Sequence, residues 1–208
     1  MRRFIGTIIA SMISVAAFSM MTAPQAGAAM MQTSATQVGP QTSVPYGWVD
    51  FCQRYHNQCP DNMLPARDIA LNARSFAEIS DVNHMVNQAI QPTTDEDHWH
   101  KIDQWDLPMD GRGDCEDYAL LKRKLLIERG FPRQALLITV VRDEHNEGHA
   151  ILTMVTDHGD FVLDNLRDSI KPWSQTGYRF IKRQSQQNPN IWVRIDGAAN
   201  VAVVASNN

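Results

Sequence analysis

Gly113-Asp114-Cys115-Glu116-Asp117-Tyr118 opens an apolar-periodic run that Gly130 closes, and past Pro132 the sequence changes period. Ala119, Leu121, Leu125 and Leu126 recur at helical spacing, with Lys122, Arg123 and Lys124 expected outward, so a helix is predicted over 114–129. Beyond it, 134–142, 149–156, 161–164, 178–182 and 191–195 are short, β-branched and aromatic. Turn residues such as Asp157-His158-Gly159-Asp160 separate them, which predicts a run of antiparallel strands. Upstream, Ser75 and Glu78 have capping-box spacing, and Phe76, Ile79, Val82, Val86 and Ile90 follow at helical spacing until Pro92. Helices first and strands afterwards give an α+β class, with N-terminal helices packed on an antiparallel sheet.

The N-terminus has the plan of a secretory signal peptide over 1–28. Arg2 and Arg3 precede an apolar stretch from Phe4 to Met21, and Ala26-Gly27-Ala28 supplies small residues for cleavage. The mature protein would begin near Ala29 and be periplasmic or secreted. Export removes two arginines and no acidic residue, taking the formal charge from −4 to −6. An acidic body argues against nucleic acid as a partner. Residues 29–45 are rich in Ser, Thr, Gln, Gly and Pro and are expected to form a disordered leader. One domain is expected over 46–196, with a flexible tail over 197–208. The 93–113 stretch, with Asp95, Glu96, Asp97, His98, Trp99, His100 and Trp105, reads as an ordered loop leading into the Cys115 helix.

Three cysteines in an exported chain leave one over. A Cys52–Cys59 disulfide with Cys115 free is the simplest pairing, two free thiols being the alternative. Zinc is disfavoured, since Cys-x6-Cys lacks the tight spacing of a structural knuckle and only His56 lies between.

A thiol at a helix N-terminus meets unpaired N–H groups and partial positive charge, which favour the nucleophilic thiolate. His149 opens one predicted strand and Asp164 closes the next, so nucleophile, base and base-orienter occur in the order Cys115, His149, Asp164. Each has a plainer reading: a buried small side chain for Cys115, a strand histidine for His149, and a turn residue for Asp164. His98, His100 and His145 compete as the base. Asp114, Glu116 and Asp117 oppose a thiolate. Either Asp114 caps the helix and the others are solvated, or the carboxylates hold a hard cation such as calcium.

With these motifs in place, the chain resembles the bacterial transglutaminase-like cysteine proteinases. The resemblance runs from Gly47-Trp48-Val49-Asp50-Phe51-Cys52 through Val82-Asn83, Trp105 and Pro108 to Gly113-Asp114-Cys115-Glu116-Asp117-Tyr118-Ala119, Gly148-His149-Ala150 and Leu163-Asp164-Asn165. It implies a papain/transglutaminase-like cysteine peptidase fold, with Cys115, His149 and Asp164 catalytic and Asp114 and Glu116 binding calcium. It also implies an indole oxyanion donor at Trp105, where the residues alone favour an aromatic core position. The implied substrate is a protein, a surface adhesin whose cleavage releases biofilm cells, under an inner-membrane receptor. Transamidation by the same three residues, and a non-catalytic periplasmic binding module, remain the alternatives.

Overall fold

The computed structural model describes residues 32–195. The expected signal peptide and the flexible tail lie outside them. Four helices, α1 (Tyr46–Arg54), α2 (Ala73–Ala89), α3 (Asp95–Trp99) and α4 (Cys115–Glu128), precede the body of a mixed helix and sheet fold. The strands are β1 (Val38–Thr42), β2 (Gln91–Pro92), β3 (Arg112–Gly113), β4 (Leu136–Arg142), β5 (Gly148–Thr156), β6 (Gly159–Leu163), β7 (Lys171–Pro172), β8 (Arg179–Gln184) and β9 (Trp192–Ile195). Seven form an antiparallel sheet in the order β1-β9-β8-β4-β5-β6-β7, while β2 and β3 make a short parallel pair.

The α2 helix starts earlier than its Ser75-x-x-Glu78 pattern suggests. Asn72 is the N-cap, its side chain accepting from the N–H groups of Arg74 and Ser75 at 3.0 Å while Ser75 Oγ accepts from Asn72 N–H at 2.9 Å. Ser75 is therefore the far side of the capping box, and Glu78 pairs with Arg74 instead. The α4 helix ends as predicted. Gly130, at φ +91°, takes the left-handed turn, and the N–H groups of Gly130 and Phe131 return to the carbonyls of Ile127 and Leu126.

α4 packs across β4 and β5 and against α2. Ile79, Val82, Val86, Ala119 and Leu126 belong to the core on this side of the sheet, and Val141, Ile151, Val162, Trp173, Tyr178, Phe180 and Ile195 form a second cluster. Burial on both faces explains why β5 reads as a continuous apolar run rather than an alternation.

Two expectations fail here. Lys122 and Arg123, expected outward, are 1% and 2% exposed. Their long stems fill the helix–sheet interface: the Lys122 ammonium lies 5.9 Å from the Tyr118 ring centre, and the Arg123 guanidinium 5.8 Å from that of Trp48. Arg123 Nε also donates to the Leu136 carbonyl at 3.1 Å. Within the segment expected to be a disordered leader, Val38–Thr42 is instead built into the sheet. β1 pairs with β9, and Thr36 donates through its N–H and its hydroxyl to the buried Asp160 carboxylate, at 3.0 and 2.6 Å. Arg183 completes that network at 2.7 Å. Polar composition hid a strand whose partner lies at the far end of the chain.

Deleting residues 29–42 should therefore lower the melting temperature by on the order of 10 °C, because it leaves a buried carboxylate with one partner instead of two. An unchanged thermal transition would restore the leader reading. Cys52 and Cys59 are joined in a disulfide and Cys115 is free.

Candidate active site

Cys115 is the first residue of α4, and its side chain lies against the start of β5, where the Ala150 N–H donates to Sγ at 3.4 Å. His149 precedes that contact by one residue, pairing with Val141 across the β4–β5 ladder. Its Nε2–H donates to Asp164 Oδ1 at 3.0 Å, leaving Nδ1 as the free ring nitrogen. Asp164, just past β6, also accepts from the Leu166 N–H at 3.1 Å and from the Tyr178 hydroxyl at 2.5 Å. The Asn87 amide holds the Asp164 carbonyl at 3.0 Å, tying this turn to α2. Cys115 and His149 open onto one cleft of about 410 Å³, bordered by Tyr46, Asp103, Trp105, Glu116, Val140 and Lys182.

The rival histidines are engaged elsewhere. His98 bonds Asp110 at 2.7 Å, His100 the Glu96 carbonyl at 3.1 Å, and His145 sits by Asp143 on the exposed β4–β5 turn. Trp105 borders the cleft, but its indole N–H donates to Asp103 at 2.9 Å, and the residue is buried in the aromatic cluster with Trp48 and Trp192. The Asn165 side-chain oxygen is buried without a hydrogen-bond partner among the described residues.

The acids around Cys115 are not solvated. Asp114 occupies the N-cap position of α4 but makes no side-chain capping bond, while Glu116 and Asp117 are buried. They converge with two residues of the 93–113 loop. Asp95, Asp103 and Glu116 place ligand oxygens within 4.8 Å of one another, as do Asp95, Asp114 and Asp117. One buried oxygen each on Asp95, Asp114 and Asp117 has no hydrogen-bond partner among the described residues. The other oxygen of Asp95 is held by the Gln104 N–H, and that of Asp117 by the Asp106 N–H. Gly113 permits this crowding, since a side chain there would meet Asp117 at 2.6 Å. Asp95 and Asp103 were invisible as site residues in the sequence because neither stands near Cys115 along the chain. Nothing in the sequence pointed to Tyr178 either.

A family model described as bacterial transglutaminase-like cysteine proteinase (BTLCP) matches residues 38–200. The chain belongs to this family. Among solved structures, calcium-bound LapG of Legionella pneumophila matches with a TM-score of 0.50 and 25% identity, over 57% of this chain and 68% of that one. A second LapG structure from the same organism matches with a TM-score of 0.50 and 26% identity, over 57% and 67%. A search of curated proteins returned no match. The protein is thus a cysteine peptidase with a LapG-like, transglutaminase-like fold.

The electrostatics of this peptidase are divided. On one side, burial together with the neighbouring Glu116 and Asp114 pushes the Cys115 thiol well above its ordinary range, and its proton is donated to Glu116 Oε2 at 3.0 Å. Burial also raises Asp95, Asp114 and Glu116, and lifts Asp117 to about 8, with the nearby Asp114 and Asp95 adding to the effect. On the other side, burial pushes the Asp164 carboxyl up, but the hydrogen bonds from His149 and Tyr178 outweigh it and hold it below the usual range. Burial lowers Lys122 to about 7, opposed by Asp164 and Asp168.

Proposed function

We propose that this cysteine peptidase hydrolyses a peptide bond through a Cys115 acyl-enzyme, with His149 as base and Asp164 as its orienter. The supporting observation is that Cys115 and His149 share one cleft while His149 Nε2 is held by Asp164, which turns Nδ1 into the available base. His149 Nδ1 takes the thiol proton and Cys115 Sγ attacks the substrate carbonyl. The oxyanion meets the unpaired N–H groups of the first turn of α4, since the Trp105 indole is committed to Asp103. The imidazolium protonates the leaving amine, leaving a thioester. Water, deprotonated by His149, then releases the acid and restores the thiol.

The acidic cluster fits calcium, because hard carboxylate oxygens converge there and three buried ones lack partners. Asp95, Asp103, Asp114, Glu116 and Asp117 would hold the ion, and Asp114 and Glu116 are the pair the family resemblance implies. When bound it supplies positive charge that offsets the carboxylates beside the thiol. Without that offset, the thiol keeps its proton, which is hydrogen-bonded to Glu116.

The apolar stretch from Phe4 to Met21 supports export to the periplasm or beyond. The family resemblance supports a surface adhesin as substrate, and an inner-membrane receptor as regulator. Among the described residues, no helix is long and apolar enough to cross a membrane.

The test is to incubate the mature protein with calcium, casein and a fluorescent primary amine. New N-termini without amine incorporation are expected, and Cys115→Ala should abolish them. Amine incorporation would instead establish a transamidase. If neither product forms and Cys115 resists alkylation, the chain is a binding module.

A further inference from the structure

Tyr178 touches both His149 and Asp164. Its hydroxyl donates to Asp164 Oδ2 at 2.5 Å, and its ring stands edge-on to the His149 imidazole, with centroids 5.6 Å apart and planes at 77°. It is buried, in the turn between Trp173 and β8. There its N–H donates to Thr176 Oγ1 at 3.2 Å, and Thr176 Oγ1 in turn donates to the Trp173 carbonyl at 2.9 Å. Gly177 makes the turn at φ +79°, where a side chain would also press on Glu144. Glu144 in turn pairs with Arg167 at 3.1 Å. The ring and the hydroxyl therefore arrive on a supported backbone rather than a loose loop.

We propose that Tyr178 is a positioning residue of this site, fixing the Asp164 carboxylate in the rotamer that receives His149 Nε2–H and packing the imidazole against movement. This rests on the His149–Asp164 reading given above. Asp164 has two oxygens and three donors: His149 and the Leu166 N–H on Oδ1, and Tyr178 on Oδ2. Without the phenol, Oδ2 loses its only hydrogen-bond donor among the described residues, and the carboxylate gains freedom to rotate away from the ring. The titratable and charged groups facing Asp164 are His149 on β5, Lys122 on α4, and Arg167 and Asp168 on the turn that follows it. Lys122 feels both Asp164 and Asp168, and Arg167 lies beside the Tyr178 hydroxyl.

The sign of the pH effect follows. Asp164 is held below its ordinary range by its donors, so it orients His149 above its folded pKa and ceases to do so as pH falls through it. Removing a donor raises that pKa, and failure then begins at a higher pH.

The experiment uses the mature chain with calcium and iodoacetamide as the probe, comparing wild type, Tyr178→Phe, Tyr178→Leu and His149→Ala. Alkylation is followed across pH, and the Asp164 carboxyl carbon is titrated by NMR. Tyr178→Phe keeps the ring and loses the donor. It is expected to move the Asp164 titration and the acidic limb of the alkylation profile to higher pH, and to slow the plateau about tenfold. Tyr178→Leu should slow it further. Wild-type Asp164 titration and an unmoved acidic limb in Tyr178→Phe would overturn the positioning role, whatever happens to the melting temperature. If His149→Ala alkylates as fast as wild type, the triad itself falls and the Tyr178 role with it, wherever the Asp164 titration lies.

Discussion

Replacing His149 with alanine is expected to slow peptide hydrolysis by about three orders of magnitude or more, and to slow alkylation of Cys115 in the presence of calcium. The size follows from what surrounds the sulfur. Burial and the two flanking carboxylates push the thiol up, and the thiol donates a hydrogen bond to Glu116 at 3.0 Å. A helix N-terminus alone does not overcome that field, because its partial charge is worth about 1 kcal/mol or less at a typical site. The imidazole lines the same cleft and is suited to take the proton and then return it to a leaving amine. Asp164→Asn should be milder, about ten- to hundredfold, because a carboxamide oxygen still accepts from Nε2 while the amide nitrogen forces the Tyr178 hydroxyl to turn. Equal alkylation rates in wild type and His149→Ala would show that the histidine does not activate the thiol.

The contrast between Cys115 and its neighbours also shows where sequence reasoning stops. The α4 helix was legible because its apolar period and Gly130 are local signals, and Cys115, His149 and Asp164 stood out as candidates because each sits at or beside an element boundary. The class of fold followed from the change of period past Pro132. Lys122 and Arg123 misled because charge is read as solvent exposure, whereas their stems pack on Tyr118 and Trp48. β1 was lost because Gly39 and Pro40 interrupt its short Val-to-Thr run, and the strand exists through its pairing with β9. Asp95, Asp103 and Tyr178 reach the site from other segments of the chain. Only the fold brings them there, so no spacing rule finds them.

Calcium is expected to raise the melting temperature by roughly 10 °C at pH 8 and by much less at pH 5. In the metal-free protein, Asp95, Asp114, Glu116 and Asp117 all lie above their ordinary range, Asp117 at about 8, chiefly because burial disfavours their charged forms. For such a group the folded state binds more protons than the unfolded one. Its contribution is therefore whole below the unfolded value of 3.8 and is lost as pH rises toward about 8. For Asp117 alone the loss is on the order of 5 kcal/mol, and the metal-free protein should weaken steadily from pH 5 to 8. Ions bind the deprotonated carboxylates of the folded state, so calcium at a hundredfold excess over its dissociation constant restores about 3 kcal/mol, and more at higher excess. Asp95→Asn separates this account from general salt effects. Removing one buried charge should raise the metal-free melting temperature at pH 8 while abolishing the calcium response, since the orphaned Asp95 oxygen is then no longer a carboxylate ligand. Magnesium, which demands a tighter octahedral shell, should not substitute. A calcium-independent melting temperature at pH 8 would leave the carboxylates as a buried acidic cluster that depends on protons alone, and would remove the metal from the activation of Cys115.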